Sequence, residues 1–332
     1  MWITTSLANA VTPTTVALGN FDGIHRGHRQ VVRPILKPAL TPESPPKTNA
    51  GDGGVVMASN KGEVPYSTVV TFRPHPVEFF TGQAKKLLTP PEEKIALLES
   101  MGVEQVVFLR FDETLAALTP VEFVEEILVR HLQARRISVG WDFRFGRKRA
   151  GTAKDLQAIA ASYGIEVTVV PLYYCENGER IGSSSIRQFL LQGNVGRSNE
   201  LLGRPYSLIG RVVSGEKLGR TLGFPTANLQ LPPEKFLPRF GVYAVEVFLP
   251  KLTESSSPLL GVTNIGCRPT VEGQTPTVEV HLFDWSGDLY GQTLTVQLKE
   301  FLRPEQKFAS LNELKAQIQQ DCAVAKKLLM PK

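Results

Sequence analysis

The sequence predicts two folded parts in succession: an α/β half built on a largely parallel sheet, and an all-β half that closes as a six-stranded barrel and ends in a helix. Three observations carry this. Up to about Gly193, short β-branched runs alternate with amphipathic helical stretches, the rhythm of a sheet covered by helices. After Gly193, strand-like segments follow one another with only turns between them. The chain has 332 residues, 42% of them apolar, which is enough to bury a core in each part. The expected domains are 1–190 and 205–332, joined by a linker at 191–204, and there is no internal repeat.

In the first half the strand candidates are 14–18, 68–72, 105–109, 137–139 and 166–170. One helix opens at Thr119 with Pro120 behind it and Glu122 three residues on, combining an N-cap, a proline in the first turn and a capping-box acid. Another runs from Thr152 to Gly164, where glycine can take the left-handed conformation that ends helices. The stretch from Pro38 to Tyr66 breaks the rhythm with five prolines after Leu36, and residues 41–63 are predicted to be a mobile loop. In the second half the strands are expected at 206–213, 226–231, 242–249, 259–264, 277–283 and 292–298. The last helix follows Ser310, with Glu313 completing a capping box and Leu311, Leu314, Ile318 and Cys322 near one face.

Charge excludes some function classes. The net charge is +5, and it divides evenly between residues 1–190 (21 − 19) and 191–332 (16 − 13). Nucleic-acid binding asks for clustered Lys and Arg interleaved with aromatics, and no such patch is present. Small polyanions need only a few well-placed cations and backbone N–H groups. Cys175, Cys267 and Cys322 are odd in number and widely spaced, which reads as reduced thiols in a cytoplasmic protein. No apolar run is long enough to span a bilayer, and Leu7-Ala8-Asn9-Ala10 lacks the basic and apolar regions of a secretion signal. The expected partners are therefore small molecules, with neither nucleic acid nor membrane, and a weak homo-oligomer is compatible with the sequence.

Two constellations carry chemistry. The run Gly19-Asn20-Phe21-Asp22-Gly23-Ile24-His25-Arg26-Gly27-His28 follows the first strand and leads into a helix expected at 29–36. A strand, a glycine-bearing turn and a helix start together favour phosphate, and Gly27 leaves room for it between the two imidazoles. Three readings compete: a zinc pair, for which no nearby Cys or acid run completes a tetrahedron, structural histidines with satisfied partners, and glycines that merely serve turns. The second constellation, residues 215–228, spaces Gly215, Gly219 and Gly223 four apart ahead of Pro225-Thr226-Ala227-Asn228. It is not a P-loop, because no Gly-Lys-Ser/Thr opens a helix there.

The first run resembles the HxGH signature of nucleotidyltransferases, and its longer form resembles the FMN adenylyltransferase module of bifunctional bacterial FAD synthetases. The resemblance extends through Thr71-Phe72-Arg73-Pro74-His75-Pro76, Gly140-Trp141-Asp142-Phe143-Arg144-Phe145-Gly146 and Ile181-Gly182-Ser183-Ser184-Ser185-Ile186-Arg187. The last of these departs from the family at Gly182, where a serine is expected, and at Ser185, where a basic residue is common. The second constellation resembles the GRxLGFPTAN motif of riboflavin kinases. Asn264-Ile265-Gly266-Cys267-Arg268-Pro269-Thr270, the strand around Glu279, Leu289-Tyr290-Gly291 and Arg303-Pro304-Glu305 continue that match.

The resemblance implies a Rossmann-like nucleotidyltransferase domain and a riboflavin kinase barrel, with ATP, riboflavin, FMN and FAD as substrates and products and Mg2+ as cofactor. In the first domain it implies His25 and His28 as catalytic groups, Gly19, Asn20, Phe21, Asp22, Gly23, Gly27, Ser183, Ser184 and Arg187 around ATP, and Phe72, Asp142 and Phe143 as flavin contacts. In the barrel it implies Gly215, Lys217, Gly219, Gly223, Pro225, Thr226 and Asn228 around ATP, with Thr226 and Asn228 also on the metal, and Asn264 and Arg303 toward the flavin. A lone strand acid such as Glu279 is more often a solvated residue, and only the resemblance makes it a general base. Arg303 reads equally as a ligand contact or as half of a structural ion pair. The alternative function is a riboflavin kinase whose first domain is inactive or serves a different acceptor.

Overall fold

The computed structural model describes residues 1–37, 64–215, 219, 222–249, 257–270 and 273–330; the predicted loop at 41–63 and Lys217 lie outside the described residues. By its contacts the chain divides into two units. The first comprises Met1–Phe21, His28–Gln83 and Ile95–Leu172, and the second Asp22–Gly27, Ala84–Lys94 and Tyr173–Lys332.

The strands of the first unit are β1 (Trp2–Thr4), β2 (Thr14–Leu18), β3 (Tyr66–Arg73), β4 (Gln105–Arg110), β5 (Ala134–Gly140), a short ribbon of β6 (Arg144–Phe145) and β7 (Gly151–Thr152), and β8 (Glu166–Val170). Six of them form one sheet in the order β1-β4-β3-β2-β5-β8, and every pairing is parallel. The predicted strands are all present, and β1 is an addition: three residues carry too little periodicity to be read, yet Trp2, Ile3 and Thr4 pair with Gln105, Val106 and Val107. Val106 and Val107 are both fully buried, within an apolar run over 106–109 of the kind a doubly covered parallel strand carries. The chain turns to β3 on one side of β2 and to β5 on the other. Ligands of open α/β sheets bind at the carboxyl ends of strands where the winding reverses in this way, and here β2 delivers Gly19.

The helices along this part of the chain are α1 (Arg26–Val32), α2 (Pro76–Thr81), α3 (Pro91–Ser100), α4 (Glu113–Ala117), α5 (Pro120–Glu122) and α6 (Ala153–Ala161). The capping box at Thr119 is formed: its side chain accepts from Glu122 N–H, and the Glu122 carboxylate accepts from Thr119 N–H at 2.7 Å. Behind α5 the helix widens into a π-helix, Phe123–His131, which a reading at 3.6 residues per turn does not foresee. His131 ends it with Nδ1 2.6 Å from the Glu126 carbonyl. α6 starts on a Thr152 capping box, and Gly164 takes φ +70°. α1 begins at Arg26 rather than at 29, so Gly27 and His28 lie in its first turn.

In the second unit α7 (Ser183–Gln192) and α8 (Val195–Leu202) precede the barrel. α8 occupies much of the stretch 191–204: the Asn194 side chain caps it by accepting from Arg197 N–H at 3.1 Å, Gly203 ends it at φ +69°, and Val195, Leu201 and Leu202 are buried. The barrel is closed, in the order β10-β13-β12-β11-β14-β9. Its strands are β9 (Tyr206–Val213), β10 (Ala227–Gln230), β11 (Gly241–Phe248), β12 (Leu259–Thr270), β13 (Gly273–Leu282) and β14 (Thr293–Pro304), with α9 (Leu311–Leu329) after them. Along β11 the alternation separates two cores. Tyr243, Val245 and Val247 join Leu208, Ile265, Val280 and Leu298, whereas Val242 and Ala244 meet Cys322 and Ala325 of α9.

Candidate active sites

The turn after β2 is unusually constrained. Phe21 and Ile24 take positive φ of 46° and 38°, a conformation that costs side-chain-bearing residues about 1–3 kcal/mol, and Gly23 takes 93°. Burial holds them there, since both apolar side chains are out of water. The Phe21 ring packs edge-on against His28, with centroids 5.3 Å apart. A Cβ on Gly19 would meet that ring at 3.3 Å, which explains glycine at the exit from β2. A Cβ on Gly27 would stand 3.2 Å from His25 Nδ1, so the glycine lets the buried imidazole lie against the backbone.

Asp22 is 3% exposed and gathers residues from distant parts of the sequence. One carboxylate oxygen pairs with the Arg187 guanidinium, and the other accepts from Thr89 N–H at 3.2 Å. The Asp22 carbonyl accepts from Ser183 Oγ at 2.7 Å. Arg187 also donates to the Lys86 carbonyl at 3.0 Å and to the Ser183 carbonyl at 3.4 Å, and it lies over the Phe236 ring. The N-cap of α7 is Gly182, which has no side chain to cap with, and Ser183 Oγ reaches the Asp22 carbonyl in the turn after β2. Ser184 is exposed.

Asn20 is exposed, and its carbonyl accepts from Thr71 Oγ1 at 3.1 Å. Phe72 is half-buried at the end of β3, edge-on to Phe111 at 5.8 Å, and Phe79 and the exposed Phe80 complete an aromatic cluster. Phe143 stacks on Phe145 at 5.7 Å, and Asp142 is exposed beside it. His75 caps a helix, with its Nδ1 accepting from Val77 N–H at 3.1 Å at the start of α2.

On the barrel, strand register aligns three predicted residues. Asn228 of β10 stands opposite Glu279 of β13, and Glu279 stands opposite Asn264 of β12. Residues opposed across a ladder share a face. Their neighbours Ala227, Val278, Val280 and Ile265 fill the interior, so the two carboxamides and the carboxylate form a row on the outer face. Backbone approaches this row closely. A Cβ on Gly215 would fall within 2.8 Å of Asn228 Oδ1 and nearer still to the rest of its amide, and one on Gly219 would lie 3.3 Å from Thr226 Oγ1. Pro225 and Gly223 are exposed. A Cβ on Gly266 would meet Glu305 Oε1 at 2.0 Å and Asn264 Nδ2 at 3.2 Å, which adds the Glu305 carboxylate to the neighbourhood.

Sequence reasoning missed one residue that shapes this site. His281 Nδ1 lies 2.9 Å from the Pro225 carbonyl. A carbonyl can only accept, so this nitrogen carries the proton. The bond fixes the chain just ahead of Thr226 and Asn228, and the ring packs edge-on to Phe224 and Phe283. The signal was present in the alternation, because His281 shares a face with Glu279 two residues away. Arg303 forms an ion pair. Its guanidinium donates to Asp321 of α9 at 3.0, 3.0 and 2.8 Å, and Nη1 donates to the Pro304 carbonyl at 3.1 Å.

An open parallel sheet with an HxGH turn at its switch point, followed by a closed barrel bearing a carboxylate between two carboxamides, defines a nucleotidyltransferase-type unit fused to a flavokinase-type barrel. Comparison with known proteins identifies the family. Residues 202–329 match the riboflavin kinase family model, and residues 8–46 and 55–185 match the FAD synthetase family model. The chain is 43% identical over 307 residues to the bifunctional riboflavin kinase/FMN adenylyltransferase of Escherichia coli (strain K12), covering 92% of this chain and 90% of that one. It is 34% identical over 317 residues to the protein of the same name from Bacillus subtilis (strain 168), covering 93% and 90%. The crystal structure of a macrolide-efflux protein from Streptococcus pneumoniae is similar over 98% of both chains, with a TM-score of 0.79 and 30% identity. Among the described residues of this chain, no helix is long and apolar enough to cross a membrane. The chain belongs to the bifunctional riboflavin kinase/FMN adenylyltransferase family.

Proposed function

We propose that the protein converts riboflavin to FMN at the barrel and FMN to FAD at the α/β sheet, consuming one ATP in each step. What carries this reading is that, in each half, motif residues far apart in sequence converge: Arg187 and Ser183 on Asp22, and Asn228 and Asn264 on either side of Glu279. Family membership over more than nine-tenths of the chain supports it.

In the kinase step Glu279 accepts the proton of the ribityl 5′-hydroxyl as its oxygen bonds to the γ-phosphorus, and ADP leaves. Its neighbours Val278 and Val280 point inward, leaving the carboxylate half-exposed on the outer face, where substrate can reach it. Gly215 and Gly219 let backbone pass close against Asn228 and Thr226, where a side chain would not fit. Lys217 and Gly223 complete the ATP side of this reading, and Asn264 the flavin side. The oxygens of Thr226 and Asn228 are hard donors suited to Mg2+. Phosphate oxygens of the nucleotide would complete its shell. When bound, the ion would neutralise charge on the β- and γ-phosphates.

In the adenylyl step a phosphate oxygen of FMN bonds to the α-phosphorus of ATP, and the α–β bridging bond breaks to release pyrophosphate. His25 and His28 donate to oxygens that gain charge at that phosphorus. Arg187, with Ser183 and Ser184 at the start of α7, receives the departing pyrophosphate. Phe72, Phe143 and Asp142 make up the flavin side of this reading. The substrates are small molecules, the compartment is the cytoplasm, and any self-association is weak.

The deciding experiment incubates the purified protein with riboflavin, Mg2+ and ATP and separates the flavins by chromatography. FMN followed by FAD is expected. FMN alone would leave a kinase without adenylyl transfer, and the absence of both products would refute the conversion of riboflavin to FAD.

A further inference from the structure

The second unit holds a buried charge network that neither reaction uses directly. Lys235 is 3% exposed, and its ammonium donates to Glu93 Oε2 at 2.6 Å and to the Leu88 carbonyl at 2.9 Å, above the Tyr206 ring at 4.6 Å. Backbone bonds run alongside: Leu87 N–H to the Glu234 carbonyl at 2.6 Å, and Phe236 N–H to the Leu87 carbonyl at 2.8 Å. Thr89, next along from Leu88, grips the nucleotidyltransferase turn. Gly23 N–H donates to Thr89 Oγ1 at 2.9 Å, and Thr89 N–H donates to Asp22 Oδ1 at 3.2 Å. Arg204 adds bonds to the Gly23 carbonyl at 2.8 Å and the Ile24 carbonyl at 3.2 Å. Glu93 and Thr89 fall in the stretch matching the FAD synthetase model, while Lys235 and Arg204 fall in the stretch matching the riboflavin kinase model.

A buried ion pair contributes little net stability, since desolvation of both charges offsets their attraction. What it does impose is geometry, because an ammonium in an apolar setting must satisfy its N–H groups with specific acceptors. We propose that Lys235 is a positioning residue for adenylyl transfer. By holding Leu88 and Glu93 it fixes Thr89, and through Thr89 it fixes the Asp22–Gly23 peptide and the carboxylate that orients Arg187. The inference rests on the assignment of adenylyl transfer to the Gly19–His28 run.

The test uses the full chain carrying Lys235→Met together with Glu93→Leu, which removes both charges and leaves no orphan ion to unfold the protein. The kcat/KM for ATP in FAD synthesis from supplied FMN is expected to fall about tenfold or more, because small misplacements of positioned groups are costly. Riboflavin phosphorylation is expected to stay within about twofold, and hydrogen exchange at the Gly23 amide to speed up about tenfold relative to barrel amides such as Val245. A double variant with wild-type adenylylation and wild-type Gly23 exchange overturns the proposal, and so does a parallel loss of both activities. Wild-type protein that makes no FAD would instead remove the reading on which the proposal rests, and the exchange measurement would still report whether the clamp exists.

Discussion

Glu279 shows how far a single residue can be read. The alternation Val278-Glu279-Val280 predicts that the carboxylate turns away from the core, and the two valines are indeed buried behind it. What one strand cannot reveal is its company: Asn228 and Asn264 lie 51 and 15 positions away in sequence, and only the register of β10, β13 and β12 brings them level with the acid. Glu279→Gln keeps the shape and removes the base, so the riboflavin phosphorylation rate should fall roughly 10²-fold or more while FMN is still converted to FAD. Buried charges were the least legible residues, because Lys and Glu in a sequence read as surface. Lys94 is one of them. Burial pushes its ammonium down from 10.5 to about 8, with Asp22 pulling the other way and Lys85 adding to the fall. Between those values the unfolded chain keeps a proton that the folded chain has released, so this group makes the fold more stable as pH rises from 8 toward 10.5 and costs most below 8. The span corresponds to roughly 3 kcal/mol. Denaturant titrations at pH 8 and pH 10 should show that rise in the wild type and a smaller one in Lys94→Met.

At the scale of elements, capping chemistry was the most legible. Thr119, Thr152 and Ser310 start their helices as their side chains dictate, each accepting from the N–H three residues on. Elements that depend on partners were less so. β1 exists because β4 offers an edge, and β14 runs on to Pro304 because two register shifts let it follow β11. α9 is fastened to the barrel partly by Arg303 and Asp321, whose side chains are 17% and 7% exposed. Asp321→Ala leaves the guanidinium unpaired in that setting, and the unfolding free energy of the barrel should fall by about 3–5 kcal/mol. Replacing both, Arg303→Met with Asp321→Leu, should restore most of it. The KM for riboflavin in that double variant then decides between the two roles of Arg303: unchanged if the residue is structural, raised if it also touches the vitamin.

For the whole molecule, the order of the two halves and the closure of the barrel followed from texture alone, since an α/β rhythm giving way to strands separated by turns leaves few architectures. The division by contacts did not. Residues 22–27 and 84–94 lie among the first-half motifs, yet they group with the barrel through polar contacts that no pattern announces. The two chemistries nevertheless draw on different side chains, so they should separate genetically. His28→Ala is expected to abolish FAD formation while FMN still accumulates, as read by chromatography of the flavins; loss of both products would contradict independent centres.

The inside of the barrel is packed solid with Leu208, Tyr243, Val245, Ile265 and Leu298. A cylinder so filled offers a tricyclic ring no bore, and the proposed reading therefore has the vitamin grasped from the flank. On that reading, discrimination among ring-substituted analogues would fall to the outward-facing row and its bordering turns, and trimming a plug residue would loosen the scaffold without widening any doorway.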